Sequence, residues 1–472
     1  MNIFIKGLLN QFARTENNAK TLFTSDNFVL DFFFLAGAAR NLDEPSILKS
    51  FINALNSDFN KTLKVLFWAR NCRGGAGERR LFRICYKYLA QNYPKITKLT
   101  DPNVYQFGRF DDIFDTSEEY ILSVFTDYQA GQVHERFNLL CKWFPRKGKL
   151  NSKIRKSLGI TPKDFRKILV NNSNVVENKM CSKKWDTIDY PKTPSRAMNV
   201  YKKAFIKHDK LRFEQYVKNV SDGIDKINAE LLYPYEIYKS YLLNRNSPEI
   251  VNLVNVQWKS LKNYLPAEKD YRLLPICDVS GSMSGEPMLV SVSLGLYVSE
   301  RNNGTFKDAF ITFSENPKLQ YLTGSIIDRF MQLETSEWGM NTNLYKTFEL
   351  ILNTAIQNKL SNEDIPNILL IISDMEFDQG VDINQTLYDQ IDTKFKSSGY
   401  QLPKIVFWNV RGRSGNVPVN ASLKNVGLVS GFSPAILESV LSCEDFTPLG
   451  IMNKTISNPT YSFIDKIEVI VD

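Results

Sequence analysis

Three stretches of this 472-residue sequence carry oxygen-bearing side chains in patterns that suit chemistry. The first is Asp278-Val279-Ser280-Gly281-Ser282, in which a carboxylate and two hydroxyls alternate. The second, Trp338-Gly339-Met340-Asn341-Thr342-Asn343, stands just before a helical pattern. The third is Ser373-Asp374-Met375-Glu376, directly after the apolar run Ile368–Ile372. Loops at one edge of a sheet can converge on a point, and these would bring two carboxylates and three hydroxyls there. Hard oxygen donors without sulfur or imidazole suit Mg²⁺, or a similar divalent cation such as Mn²⁺. So few direct carboxylates leave the ion electrophilic and able to take an acidic group from a partner. Asp or Ser after a strand is also a common helix N-cap. Any one of these loops alone would read as a cap, whereas three in this order favour a cation.

Catalytic readings fare less well. Gly281-Ser282-Met283-Ser284-Gly285 matches the Gly-x-Ser-x-Gly elbow of hydrolases, whose order is nucleophile, acid, then His. Both histidines, His134 and His208, precede Ser284, so the chain supplies no such base. Position 280 is Ser where an Asp-x-Asp phosphatase needs a carboxylate, and no Gly-x-x-x-x-Gly-Lys-Ser/Thr phosphate loop is present. Metal-dependent hydrolysis at Asp278 and Asp374 survives as a minor alternative, with Glu376 or Glu286 as the only evident bases.

Charge points to a second activity. The net charge is +8, but the first 265 residues carry 43 Lys+Arg against 26 Asp+Glu, and the remainder 16 against 25. The halves are therefore about +17 and −9, a split that suggests a polyanion for the first half. The cations concentrate between Lys142 and Lys184: Lys142, Arg146, Lys147, Lys149, Lys153, Arg155, Lys156, Lys163, Arg166, Lys167, Lys179, Lys183 and Lys184, opposed only by Asp164 and Glu177. Trp143, Phe144 and Phe165 are interleaved, as stacking on single strands would use. The other reading is a solvated face, or one that docks on the acidic half of the same chain.

The elements that must hold these residues change character near residue 265. Before it, apolar residues recur at helical spacing over Lys61–Ala69, Glu78–Leu89, Glu118–Phe125, Val133–Lys142, Lys163–Leu169, Ala197–Lys207, Asp209–Asn219 and Pro234–Leu243. Helical hairpins in series predict a solenoid-like domain over residues 1–265, although no repeat period is evident. Arg73-Gly74-Gly75-Ala76-Gly77 reads as a tight turn between two helices. From 266 to 472 short apolar runs, Leu273–Cys277, Ala309–Phe313, Ile368–Ile372, Ile405–Val410 and Val426–Val429, alternate with helical patterns over Met288–Ser299, Asn343–Gln357, Ile383–Phe395 and Pro434–Leu441. That alternation predicts a doubly wound, mostly parallel α/β domain. The fold class expected is thus α followed by α/β.

Asp278-x-Ser280-x-Ser282, then Thr342, then Asp374 resembles the metal-ion-dependent adhesion site of a von Willebrand factor A domain. The resemblance implies that Ser280, Ser282 and Thr342 contact the ion directly, and that Asp278 and Asp374 do so directly or through water. The second loop, Gly339-Met340-Asn341-Thr342, departs from the commoner Gly-Gly-Thr. In the first half, Arg73–Arg79, Gly108-Arg109-Phe110-Asp111-Asp112, Lys183–Tyr190 and Pro194–Met198 resemble an uncharacterised family that joins a TROVE-like helical region to the same A domain. It has viral and eukaryotic members. Its architecture is similar to that of the Ro autoantigen, in which helical repeats closed by an A domain bind small non-coding RNAs.

The function expected is therefore non-enzymatic: an RNA-binding scaffold with a Mg²⁺-dependent ligand site. The residues expected to meet RNA are Lys142, Arg146, Lys147, Lys149, Lys153, Arg155, Lys156, Arg166, Lys167, Lys183 and Lys184. The alternative is a protein-interaction module in which the ion captures an Asp or Glu of a partner and RNA plays no part. No secretory signal or membrane span is evident, since Phe32–Ala39 is too short to cross a bilayer. Scattered cysteines without Cys-x-x-Cys fit reduced thiols. A cytoplasmic location follows, with the virion open to a viral member.

Overall fold

The computed structural model describes residues 12–132, 135–173, 175–265, 269–313, 317–335, 343–378, 385–413 and 415–467. The described residues start with a hairpin of two short antiparallel strands, β1 (Phe12–Arg14) and β2 (Lys20–Leu22). Helices then follow one another up to Pro248–Lys259. Their starts are fixed by side chains that accept the orphan amides of the first turn. Asn27, Asp43, Asp58 and Thr161 do so for the helices Phe28–Ala36, Glu44–Ser57, Phe59–Arg70 and Pro162–Asn171.

The second half is one six-stranded sheet with β3 (Leu273–Asp278), β4 (Ala309–Phe313), β5 (Lys318–Tyr321), β6 (Ile368–Ser373), β7 (Lys404–Asn409) and β8 (Val426–Ser430), in the order β5-β4-β3-β6-β7-β8. All neighbours are parallel except β4 and β5. The five apolar runs seen in the sequence are the five parallel strands, nearly all buried on both faces. β5 has no apolar run, because it is an edge strand whose residues are mostly exposed. Pro275, which has no N–H to donate, lies in β3 where the ladder with β4 has not yet begun. Helices such as Glu286–Arg301, Leu344–Gln357 and Leu387–Ser397 flank the sheet. The architecture is helical first and α/β second, as the sequence indicates.

The main core is continuous across the two halves, running from Val29 through Trp68 and Trp258 to the strands. Gly37 shows how close the contact is: a Cβ there would lie 2.2 Å from the carbonyl oxygen of Ser430 at the end of β8. The Ser430 hydroxyl accepts from the Gly37 amide at 2.9 Å and donates to the Phe33 carbonyl at 2.9 Å. Two further helical cores stand apart, one around Phe110, Phe125, Phe144 and Phe165 and one around Tyr190, Phe205 and Phe213. No helix among the described residues is long and apolar enough to cross a membrane.

The glycine-rich turn after Arg70 is structural. A Cβ on Gly75 would meet the Trp68 carbonyl at 2.0 Å, and Gly77 has φ +71° against the Tyr233 ring. Beside it, Asp112 accepts from Arg70 Nε at 2.7 Å, Arg79 Nε at 2.9 Å and the Arg109 amide at 2.9 Å. Asp112 and Arg70 are both buried. The Gly108–Asp112 motif thus ties three segments of the helical half together.

Candidate cation site and basic layer

The strand order reverses between β3 and β6, since β4 and β5 extend one way and β7 and β8 the other. Ligands of open α/β sheets bind in the crevice at the carboxyl ends of such a pair. Asp278 ends β3, and Asp374 directly follows β6. Both are buried, as is Ser280.

Ser280 stands at the N-cap position of the short 3-10 turn Gly281–Met283, but its side chain makes no capping bond. Asp278 Oδ1 accepts from the Ser280 amide at 2.9 Å, and its Oδ2 accepts from the Ser373 hydroxyl at 2.5 Å. The Ser280 and Ser282 hydroxyls lie 3.1 Å apart. The helix that follows, Glu286–Arg301, starts at Gly285 with no side-chain cap. None of these three residues is therefore its N-cap. Asn343, in the second loop, is one: it accepts from the Lys346 amide at 3.0 Å. Thr342 and Trp338–Asn341 lie outside the described residues.

Asp374 Oδ1 accepts from the Glu376 amide at 3.2 Å, while Oδ2, buried, makes no hydrogen bond. Burial, and then the Asp374 charge nearby, push the Asp278 pKa up to about 7. Two buried carboxylates repelling each other, with one oxygen lacking a hydrogen bond, leave a position that favours positive charge. Arg413 meets part of this demand from the side, with Nη2 at 3.7 Å from Asp374 Oδ2 and Nε at 3.6 Å from Glu376 Oε1. Among the described residues no three His, Cys, Asp or Glu side chains gather as a metal cluster. The donors here are two carboxylates and hydroxyls.

The loop after β6 is held in place by residues far away in sequence. Met375, buried with φ +66°, is in the left-handed region that a side chain enters at a cost. Its amide donates to the Ser373 hydroxyl at 3.0 Å, and its carbonyl accepts from Asn416 Nδ2 at 2.9 Å. The amino-terminal hairpin grips the same loop. Thr15 Oγ1 donates to the Phe377 carbonyl at 2.7 Å, the Glu16 amide to Glu376 Oε2 at 2.5 Å, and Asn17 Nδ2 to the Glu376 carbonyl at 2.9 Å. Glu16 pairs with Arg413, and Arg411 donates to the Ser282 carbonyl. The two candidate bases are both engaged: Glu376 in this loop, and Glu286 with Arg40 at 3.3 Å and Lys239 at 4.0 Å.

Ser373, Arg411, Arg413, Asn416 and Thr15–Asn17 are neighbours of the candidate site that local sequence patterns do not single out. Arg411 and Arg413, two residues apart just past the fourth apolar run, stand at the same strand edge and are the nearest thing to a signal. Nothing local to Thr15–Asn17 marks them, since their partners lie some 360 residues away.

The basic stretch forms the helices Glu135–Trp143, Lys149–Ser157, Pro162–Asn171 and Val176–Cys181. Arg146, Lys147, Lys149, Lys153, Lys156, Arg166, Lys167, Lys183 and Lys184 are exposed, and Lys142 and Arg155 half-buried. Arg146, Lys163, Arg166 and Lys167 line one cleft. The aromatic residues correct the expectation. Phe144 and Phe165 are core, packed on Phe125 with ring centroids 5.1 and 5.3 Å away, because an exposed helical layer this small needs them to hold it together. Trp143 is half-buried, with the Arg109 guanidinium 3.3 Å over its ring.

With this geometry in view, comparison with known proteins gives two matching families. Both are described as a domain of unknown function: DUF7788 over residues 273–456 and DUF2828 over residues 15–104 and 149–268. The change from one to the other falls where the helical region ends and β3 begins. A relative, "Uncharacterized protein L728" of Acanthamoeba polyphaga mimivirus, is 27% identical over 518 aligned residues, covering 96% of this chain and 90% of its own length.

Proposed function

We propose that this protein is a non-enzymatic scaffold that binds single-stranded RNA through its basic helical layer and a divalent cation at the ends of β3 and β6. The observation that carries the RNA reading is where the basic layer's charges go. The ion pairs of Lys153 with Glu118 and Lys167 with Asp164 stay within the helical half. The acidic half is met by other cations: Arg40 and Lys239 on Glu286, Lys64 on Asp465, Arg245 on Glu334 and Lys262 on Glu438. The exposed layer is thus left for a polyanion from outside.

For the cation, Asp278, Ser280, Ser282 and Asp374 would hold Mg²⁺ or Mn²⁺, with Thr342 as a further donor on the resemblance to the adhesion site. The Asp374 oxygen that makes no hydrogen bond supports this set. Bound there, the ion supplies a positive charge with an open position for an acidic group of a partner. The strand order and the position of the Asp-x-Ser-x-Ser turn support a von Willebrand factor A-like domain over 266–472, beside a TROVE-like region over 1–265. Engagement of Glu376 and Glu286 favours holding over hydrolysis.

The test is binding of a fluorescent 20-nucleotide single-stranded RNA across a salt series. The affinity should fall steeply with salt, and K163E/R166E/K167E should weaken binding and reduce the slope by about 0.7 for each phosphate no longer neutralised. Binding no tighter than that of a neutral polymer at low salt would sink the reading.

A further inference from the structure

Arg413 faces three carboxylates at once. Its Nη1 donates to Glu16 of the amino-terminal hairpin. Its Nε lies 3.6 Å from Glu376 Oε1 and its Nη2 3.7 Å from Asp374 Oδ2, too far for hydrogen bonds. The three partners differ in depth: Asp374 and Glu376 are buried, whereas the Glu16 side chain is 66% exposed. The Arg413 side chain is 24% exposed. Its backbone is anchored from the other side. The neighbouring Gly412 amide donates to the Ala38 carbonyl at 2.9 Å, and a Cβ on Gly412 would lie 2.9 Å from Leu35 Cδ1. A long side chain on an anchored backbone can shift its guanidinium without moving the loop. A positive charge thus stands just short of the buried Asp374 oxygen that makes no hydrogen bond.

We infer that Arg413 is a tethered counterion of the cation site, which balances Asp374 while no ion is bound and withdraws onto Glu16 when a divalent ion binds. This role rests on the cation reading and names the residues of this chain that set the site's affinity. A guanidinium and a divalent cation answer the same carboxylate charge, and at a few ångströms in a buried setting they repel each other. Withdrawal costs little, because the Asp374 contact has no hydrogen bond to lose and Glu16 already holds Arg413. The other reading makes Arg413 a brace that joins Glu16 to the loop after β6. That loop is already held by Thr15, Asn17 and Asn416. The two roles differ in sign: a counterion opposes the ion, and a brace helps it.

The full chain is titrated with MgCl₂ by isothermal titration calorimetry, beside R413Q, R413K, E16Q and E16Q/R413Q. R413Q should tighten Mg²⁺ binding about tenfold or more, whereas R413K, which keeps the charge, should stay within about threefold of the parent. E16Q, at an exposed side chain, frees Arg413 to close on Asp374 and should weaken binding about threefold. In the R413Q background E16Q should change nothing, since the two residues act as one unit. R413Q binding no tighter than the parent, or E16Q binding as the parent does, overturns the inference. So does an E16Q effect of equal size in both backgrounds, which would mean that Glu16 acts on the ion directly. If none of these proteins binds Mg²⁺, the cation reading itself has failed, and this role with it. Binding only where Gln replaces Arg413 upholds the role, the guanidinium then keeping the ion out of the parent.

Discussion

The Ser373 hydroxyl donates to Asp278 Oδ2 at 2.5 Å, joining the end of β6 to the end of β3. Through that bond the first candidate loop is oriented by the strand that carries the third. Each Asp278 oxygen thereby has one hydrogen bond, from Ser373 on one and from the Ser280 amide on the other. Asp374 keeps one oxygen without a hydrogen bond. The two carboxylates are unequal, and it is Asp374 that asks for a further partner.

Asp374→Asn should therefore act in opposite directions with and without cation. In EDTA the variant should unfold at a higher temperature than the parent, by about 1 kcal/mol, because a buried like-charge pair is relieved. With Mg²⁺ at a hundred times its Kd the parent should gain about 2.7 kcal/mol and the variant nearly nothing. Equal Mg²⁺ responses in thermal unfolding would count against the cation site.

The hairpin's grip on the loop after β6 should be visible in local opening. Thr15→Ala and Asn17→Ala each remove a bond to that loop, at about 1 kcal/mol apiece. Hydrogen exchange at the amides of Met375, Glu376 and Phe377 should accelerate several-fold. Exchange in β3 and β6 should hold steady.

Asp112→Ala should be among the most damaging substitutions in the helical half. It removes the partner of Arg70, which is 4% exposed, and one of the partners of Arg79. Leaving a buried guanidinium unpaired costs about 3–5 kcal/mol. Urea denaturation should show the midpoint falling accordingly, and Arg70→Met in the same background should recover part of the stability.

Lys202 gives a pH signature. Burial, and then Lys203, lower its pKa from 10.5 to about 8. The ammonium donates to the Asn199 carbonyl at 2.8 Å and to its Oδ1 at 2.6 Å. Below pH 8 both states hold the proton, and the folded state bears the burial cost in full. Between pH 8 and 10.5 the unfolded chain binds more protons, so this group makes stability rise with pH. Lys202→Met should be more stable at pH 7 by about 2–3 kcal/mol. Its advantage over the parent should shrink as pH climbs to 10.5, and an unchanging difference in denaturation midpoints would contradict the assignment.

The sequence by itself determined the helical and α/β halves, the five parallel strands and the positions of Asp278, Ser280, Ser282 and Asp374 at the ends of two of them. Those features are written in local patterns. Buried strands need apolar runs on both faces, and polar residues at their carboxyl ends stand out against such runs. β5 was invisible because an exposed edge strand needs no such run. Phe144 and Phe165 looked like stacking platforms because composition does not tell which side of a helix faces the core. Tertiary structure alone decided the adjacency of β3 and β6, the bond from Ser373 to Asp278, the placing of Arg413 beside Asp374, and the docking of Thr15–Asn17 on Glu376 and Phe377. Each of these joins residues tens to hundreds of positions apart. The parallel pairing of β3, β6 and β7 brings the first three together, and the packing of the hairpin onto the end of the sheet brings the last.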